Sequence, residues 1–508
     1  MKKTEFTITT ILSLVILVLV FFFFIKYHWN RRWLYYHAMK LPGPWALPIL
    51  GSAHLFHGGY DDMYQAMLRL TKSQPPLFKI WLGQDLIFVT SRPEDCEIIL
   101  SKCFTKGKFA TFMDPIFWEG LLTAPAIKWK SHRKIINPSF NIQILNSFIG
   151  VFNKHSKKLV EKMRKHAGSD SVDVSYWLFR NTIDISCETL MDIDADLIKG
   201  QEEYIDDCIK AEKYSSTRMI GVWYHPEFIW KHSPLGKLTK ATSDKILDFV
   251  RKIIKLKKLE PEPLLKNCGD FPDDSMRKKH FLNNLLKMSE NMTDDDILEE
   301  TQTMLVAASE TTALTMATVL LTLAIFPQVQ EKIYEELDAI LWNTDEITLE
   351  HINKMVYLEA VIKETMRILP TVPFINRRMT EDLHLNDCVV PTGSNIIISI
   401  KNIHDSPLLW ENPDKFDPER FLTERDPNRS RCAFMPFGYG PRNCIGFKFA
   451  MLSMKVMMAS LLKNFTFEPA VYKSIAEIEC FYNIVAKPKK GYKVKFSERK
   501  LYNNNDKL

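Results

Sequence analysis

The feature that most restricts the fold lies in the second half of the chain. From Thr293 to Ile325 the residues read as one uninterrupted helix, halted just before Pro327. Thr293 is a capping residue type, and Asp294, Asp295 and Asp296 fill the first turn, where the positive end of the helix dipole favours carboxylates. At about 1.5 Å per residue such a helix is roughly 50 Å long, enough to cross a whole globular domain. Its middle, Met304 to Leu323, is apolar nearly all round, and a helix with no polar face must be enclosed on every side. The competing reading is a membrane span, against which Glu310 and the acidic start argue, because a carboxylate in hydrocarbon is costly. The chain is therefore expected to build a globule around a buried rod.

Most other segments read as helices, so the expected class is mainly α with small β-sheets. Lys79 to Val89 alternates as a strand pair turning at Gly83 and Gln84. Lys255 to Asp274, with three prolines and a glycine among charges, reads as an exposed connection. At 508 residues and 46% hydrophobic content the chain exceeds a disordered tail or a small disulfide scaffold. A net charge of +6 without an arginine stripe points away from nucleic acid. The nine cysteines are scattered, with no CxxC pair, which argues against a disulfide framework or a structural zinc site.

Phe6 to Ile25 is almost purely apolar and long enough to cross a bilayer core of roughly 30 Å. The run is too long for the apolar part of a cleaved signal peptide, and no small-residue cleavage site follows it. Lys26, Arg31, Arg32 and Lys40 behind it outnumber Lys2 and Lys3 in front, placing the C-terminal side in the cytosol. Trp29, Trp33, Tyr35 and Tyr36 suit the interface. The expected organisation is an anchor over 1–25, a basic linker and proline-rich hinge over 26–48, and a catalytic domain over 49–508. Three glycosylation sequons, at Asn291, Asn428 and Asn464, would then lie in the cytosol and stay unmodified.

The chemistry concentrates in Phe437-Gly-Tyr-Gly-Pro-Arg-Asn-Cys444-Ile-Gly446. Gly438 and Gly440 permit a tight turn, Arg442 offers a fork for a propionate, and Gly446 lets a flat macrocycle approach. Phe447 to Leu462 reads as a helix whose N-terminus favours Cys444 as thiolate. A thiolate on haem iron pushes electron density toward cleavage of the dioxygen O–O bond. Glu364-Thr-Met-Arg367 sets a carboxylate and a guanidinium three apart on one helix face, and Arg420 follows in Phe416-Asp-Pro-Glu-Arg420-Phe421. Trp129 and Arg133 stand four apart in a basic helix, Arg377 follows Pro370, and Ala307-Ala-Ser-Glu310-Thr311-Thr312 sits inside the long helix.

From Pro42 onward these elements, in this order, resemble the cytochrome P-450 superfamily of haem-thiolate monooxygenases. Gly120-Leu-Leu-Thr, Phe281-Leu-Asn-Asn-Leu-Leu and Pro373-Phe-Ile-Asn-Arg377-Arg378 are similar to its microsomal family-four branch, which includes fatty-acid omega-hydroxylases. The resemblance implies the cytochrome P-450 fold around a long central helix, preceded by one N-terminal transmembrane helix. It implies haem b bound non-covalently, with Cys444 as the iron ligand in a loop that includes Phe437, Gly438 and Gly446. Trp129, Arg133, Arg377 and Arg442 become propionate contacts, with Arg378 the alternative to Arg377. Glu364, Arg367 and Arg420 become a structural triad. Glu310 and Thr311 become the acid and alcohol that relay protons to dioxygen. Many family-four members carry at the position of Ala307 a glutamate that esterifies haem, which a methyl group cannot do. Ala308 departs from the glycine common in this segment.

The implied function is insertion of one oxygen atom from dioxygen into an apolar small molecule: a fatty acid, a terpenoid or hormone, or a xenobiotic. Electrons would come from NADPH through a diflavin reductase, with cytochrome b5 as a further partner, at the endoplasmic reticulum membrane. Lys128, Lys130, Lys134, Lys448 and Arg431 are candidates for a cationic docking face. Phe112, Ala307, Val372, Phe374 and Tyr482 are candidates for an apolar pocket, and Trp223 to Trp230 for a membrane-dipping access region. The alternatives are a haem-thiolate isomerase or dehydratase, against which Glu310 and Thr311 speak, and a non-catalytic haem or lipid binder.

Overall fold

In the computed structural model the described residues are 2–259, 280–288, 292–342, 344, 346–422 and 430–499. Most of the connection expected over 255–274, and the sequons at Asn291 and Asn428, lie outside them. The long helix spans Asp294–Ile325 and carries a full capping box, in which the Thr293 hydroxyl accepts from Asp296 N–H and the Asp296 carboxylate accepts from Thr293 N–H. It is the rod of the fold: Leu305, Ala313, Met316, Ala317, Val319, Leu320 and Leu323 are all buried in the largest apolar cluster. Its hydroxyls are satisfied without a polar face, because Thr301, Thr311, Thr315, Thr318 and Thr322 each donate to the carbonyl four residues back. Ser309 adds a lateral tie, sharing a 2.9 Å hydrogen bond with Ser186 of the Ser175–Thr189 helix, while Thr182 donates to the Ser309 carbonyl.

The strand pair forms as Leu77–Leu82 and Asp85–Thr90, antiparallel, with Gly83 at φ 60 opening its two-residue turn. Asn395–Ser399 pairs parallel to the second of these strands, and Phe374–Arg378 pairs antiparallel to Asn395–Ser399. This four-stranded sheet carries Arg377. A hairpin of Cys480–Asn483 and Val485–Pro488 brings the C-terminal region back beside the central helix.

The N-terminal helix runs Lys2–Asn30, further than the expected anchor, and Thr10–Asn30 is long and apolar enough to cross a membrane. The stretch expected as a linker is a second helix, Arg32–Met39, docked on the sheet. Ala38 is buried there, with Leu34 and Leu41 packed beside it. Tyr27 donates to the Gln84 side chain at 2.9 Å, and Arg31 reaches both the Tyr27 hydroxyl and the Gln84 carbonyl. Trp33 Nε1 donates to Asp382 at 3.2 Å, and Lys79 Nζ closes the carbonyls of Ala38 and Leu41. The basic residues read as a charged spacer are thus partly spent on capping a joint. The third sequon residue, Asn464, donates to the Ser460 carbonyl and accepts from Arg164, so its amide is committed inside the fold.

Candidate active site

A cavity of about 420 Å³ lies between the central helix and the loop before the Phe447–Asn464 helix. Ala307, Ala308, Glu310, Thr311 and Thr312 line one wall; Phe437, Gly438, Cys444 and Gly446 line the opposite one. Cys444 is the one cysteine lining it among the described residues, and its exposed surface belongs to that wall. The loop turns as its glycines require: Gly438 and Gly440 sit at φ 74 and φ 76, and a Cβ at Gly440 would meet the Leu100 carbonyl oxygen at 2.4 Å. Cys444 N–H donates to the Phe437 carbonyl at 2.9 Å, which closes the loop beneath the thiol.

Burial raises the Cys444 thiol above its ordinary value, outweighing both the Gly446 N–H and the Arg133 charge that favour ionisation. A thiolate here needs a stronger cation than a helix N-terminus, which a bound metal supplies.

One edge of the cavity gathers cations. Arg377 is 2% exposed and donates to the carbonyls of Cys103 and Asn376 at 3.0 and 2.8 Å, whereas its neighbour Arg378 is exposed and lines nothing. Arg442 donates to the carbonyls of Phe104 and Ala124 and keeps a buried Nε with no hydrogen-bond partner. Arg133 holds the Asn443 carbonyl at 3.0 Å. Trp129 stacks on Phe104 at 5.9 Å and lies under the Arg442 guanidinium. Burial pulls Arg377 down to about 10, and burial with the Arg377 charge pulls Arg442 down to about 9. Both remain cations at neutral pH, and both would gain from an anion. Lys106, which the sequence reading missed, faces the same cavity. Burial, with Arg377 and Arg442 beside it, pushes its ammonium well below the ordinary lysine value. No spacing rule marks a lone lysine in a loop; only the meeting of the two arginine segments does.

The substrate side is apolar, lined by Met63, Phe109, Met219, Val372, Phe374 and Tyr482, among others. Phe112, expected there, turns away to pack on the His225 ring at 4.9 Å beneath the Arg218 guanidinium. The Thr311 hydroxyl donates to the Ala307 carbonyl at 2.8 Å, and the helix runs through Ala308 as regular α-helix. Glu310 is held by Lys487 Nζ at 2.7 Å, away from the Thr311 hydroxyl bond.

Behind the Cys444 loop, Arg367 is fully buried and forks onto both Glu364 oxygens at 2.7 and 2.8 Å, and Arg420 Nε stands 3.4 Å from Glu364. Arg367 also donates to the carbonyls of His404, Pro413 and Lys415. His404 Nδ1 meets the Arg367 carbonyl, and its Nε2 accepts from Met435 N–H at 3.1 Å, tying the triad to the start of the loop. On the candidate docking face Lys130, Lys134, Arg431 and Lys448 are exposed. Lys128 does not belong with them: it is spent on Asp296 and Glu299, both at 2.8 Å, which hold its ammonium well above the ordinary lysine value despite the cost of burial.

Residues 41–496 match the cytochrome P450 family model. The chain belongs to the cytochrome P450 family. Cytochrome P450 4c21 of Blattella germanica is 33% identical over 91% of this chain and 94% of its own length. Cytochrome P450 4c3 of Drosophila melanogaster is 30% identical over 94% and 93%. Cytochrome P450 4V2 of Rattus norvegicus is 29% identical over 89% of each chain. This cytochrome P450 is a monooxygenase of the family-four-like branch. Haem held by a cysteine thiolate is the cofactor the family implies, and the cavity fits it. A cysteine faces the central helix across a slot rimmed by glycines, and the cations at one edge, with an orphaned guanidinium nitrogen, match the need of two carboxylates.

Proposed function

We propose that this cytochrome P450 is anchored in the endoplasmic reticulum membrane with its catalytic domain in the cytosol. There it inserts one oxygen atom from dioxygen into an apolar small molecule of the fatty acid, terpenoid or xenobiotic kind. Electrons reach it from NADPH through a diflavin reductase, with cytochrome b5 as a further donor, at the face carrying Lys130, Lys134, Lys448 and Arg431. The observation that carries the reading is the cavity itself, which sets Cys444 opposite Thr311 and opens into an apolar chamber. Haem bound by the Cys444 thiolate supplies the dioxygen-cleaving chemistry. Arg377, Arg442, Arg133, Trp129 and Lys106 would hold its propionates and fix its rotation in the slot. Glu364, Arg367 and Arg420 keep the loop beneath Cys444 in shape.

The remaining residues handle protons and substrate. With its own proton committed to the Ala307 carbonyl, the Thr311 oxygen presents lone pairs to the cavity, where it can hold a water or a hydroxyl group in place. Glu310 opens on the same cavity and supplies the acid. The apolar lining excludes bulk water, so protons arrive only where these two residues deliver them. The exposed apolar side chains of Ile49, Trp223 and Phe228 support a lipid-facing surface, with Ile49 and the Val222 neighbour of Trp223 both at the Gly83 turn.

The testing experiment is turnover of Thr311→Ala with reductase and NADPH across a panel of fatty acids, terpenoids and steroids. Losing a group that positions the transferring proton typically costs about 10²-fold or more. Product per NADPH should fall accordingly while peroxide rises and haem content holds. Wild-type coupling in Thr311→Ala on a confirmed substrate would remove Thr311 from the relay, and no oxygenated product from wild type on any class would overturn the function.

A further inference from the structure

Glu310 does not sit alone in the wall of the cavity. Lys487, from the Val485–Pro488 strand, places its Nζ 2.7 Å from Glu310 Oε1 and 2.7 Å from Glu212 Oε2. Glu212 belongs to the Gln201–Ile220 helix, so three segments remote in sequence converge on one ammonium. Both carboxyls thus meet at a single cation, one oxygen of each lying 2.7 Å from Lys487 Nζ. Glu212 is 2% exposed and Glu310 5%. In so dry a place two carboxylates and one ammonium leave an uncompensated negative charge, whereas one added proton makes the cluster neutral.

We propose that Glu212 and Lys487 are positioning residues for the proton relay, and that the Glu212–Lys487–Glu310 cluster stores the single proton which Glu310 passes to the cavity. The proposal rests on the monooxygenase reading and extends it to a source for the proton. At rest Glu212 carries the proton and Glu310 is ionised against Lys487. In the delivery step Lys487, 2.7 Å from both carboxyls, gives a proton to Glu310 and takes the Glu212 proton in its place, so that the Glu212 O–H bond breaks, a Glu310 O–H bond forms and the ammonium now pairs with the Glu212 carboxylate. Neutral Glu310, released from the ammonium, gives its proton to the water or hydroxyl group held at Thr311, and a proton drawn from solvent restores Glu212 between turnovers. No electrons move and one proton is consumed per cycle of the cluster.

The surroundings favour this ordering. Burial and the Glu310 charge push Glu212 well above the ordinary carboxylate value, while Lys487 and Glu212 together hold Glu310 below it. The other groups that face the cluster do not compete for the proton. Cys208 on the Glu212 helix and Tyr492 near the C-terminus are both raised well above their usual values by burial and stay neutral. Asn483 adds an amide donor to Glu212 at 3.4 Å.

The test begins with infrared spectroscopy of the purified full-length holoenzyme. A protonated buried carboxyl should give a C=O band at pH 7 that is missing from both Glu212→Gln and Glu310→Gln, since either change leaves one carboxylate paired with one ammonium. In Glu212→Gln the substrate dissociation constant, read from the haem difference spectrum, should stay within about twofold of wild type, while product per NADPH falls by about 10-fold or more. Lys487→Arg should restore coupling that Lys487→Met loses. If Glu212→Gln fails to hold haem, Glu310→Gln decides: a band that survives above about pH 6 in wild type, beyond the ordinary carboxylate range, must be missing from it, which separates the cluster from Asp114, raised to about 7 by burial. A band lost below that pH, or a band and coupling unchanged in Glu212→Gln, overturns the store. Wild-type protein that forms no product would instead defeat the monooxygenase reading, so the two failures are distinguishable.

Discussion

Replacing Arg367 by Met should cost this protein its fold around Cys444, and the structure sets the size of the loss. The guanidinium is fully buried and makes five hydrogen bonds: two to Glu364, and one each to the carbonyls of His404, Pro413 and Lys415. Breaking a buried ion pair from one side typically costs about 3–5 kcal/mol, because the partner charge stays behind. Each carbonyl left without a donor adds about 1–3 kcal/mol where water cannot reach it. Together these rival the whole stability of an ordinary domain, about 5–15 kcal/mol. Arg367→Met should therefore accumulate little soluble protein and no reduced carbon monoxide spectrum of the thiolate type. Arg367→Lys keeps the charge but loses the fork, and should fall between the two. Adding Glu364→Gln to Arg367→Met removes the stranded charge, so the double variant should be less damaged than the single effects summed, by at least about 1 kcal/mol in guanidinium unfolding. If Arg367→Met retains haem at wild-type yield with an unchanged unfolding midpoint, the triad does not hold the loop.

Three further outcomes follow from the site. Cys444→Ala should abolish the red-shifted carbon monoxide spectrum, and Cys432→Ala, twelve residues earlier and buried in a separate apolar cluster, should keep it. Acidified organic solvent should extract essentially all the haem, because Ala307 offers no carboxylate to an ester; haem remaining on the denatured chain would contradict this. His404, driven down to about 3 by burial and the neighbouring Arg367 charge, is neutral in the folded protein. The unfolded chain takes up a proton near pH 6.5 that the folded one refuses until about pH 3, so stability drops as pH falls through that window, at up to about 1.4 kcal/mol per unit. His404→Gln should flatten the slope in urea unfolding between pH 7 and pH 5, and an unaltered slope would assign the acid lability elsewhere.

What could be read from the sequence was whatever depends on neighbours along the chain. The central helix announced itself through Thr293 and the three aspartates, and Glu364 with Arg367 through their spacing on one helix face. The Cys444 loop was legible because its glycines are needed by the backbone: Gly440 has no room for a Cβ against Leu100. What escaped depends on segments meeting in space. Lys106 became part of the site only where Arg377 and Arg442 converge on it, and Glu212 and Lys487 only where a helix and a hairpin close over Glu310. Phe112 was misplaced because its ring is taken up by His225 and by the Arg218 guanidinium, from segments far along the chain. Lys128 looked like surface charge because its acidic partners, Asp296 and Glu299, stand far along the chain on the central helix.

The docked joint between Tyr27 and Leu41 changes what concentration means for this protein. A flexible tether would let the domain tumble above the bilayer and sample solutes from the aqueous phase. A helix seated on the domain by Arg31, Trp33 and Lys79 would instead, in the membrane-anchored protein proposed above, fix which side of the domain faces the lipid. The relevant supply is then the amount of substrate dissolved per volume of membrane. Diluting the vesicles at constant substrate-to-lipid ratio should leave the rate per molecule unchanged, and adding empty lipid at constant total substrate should lower it.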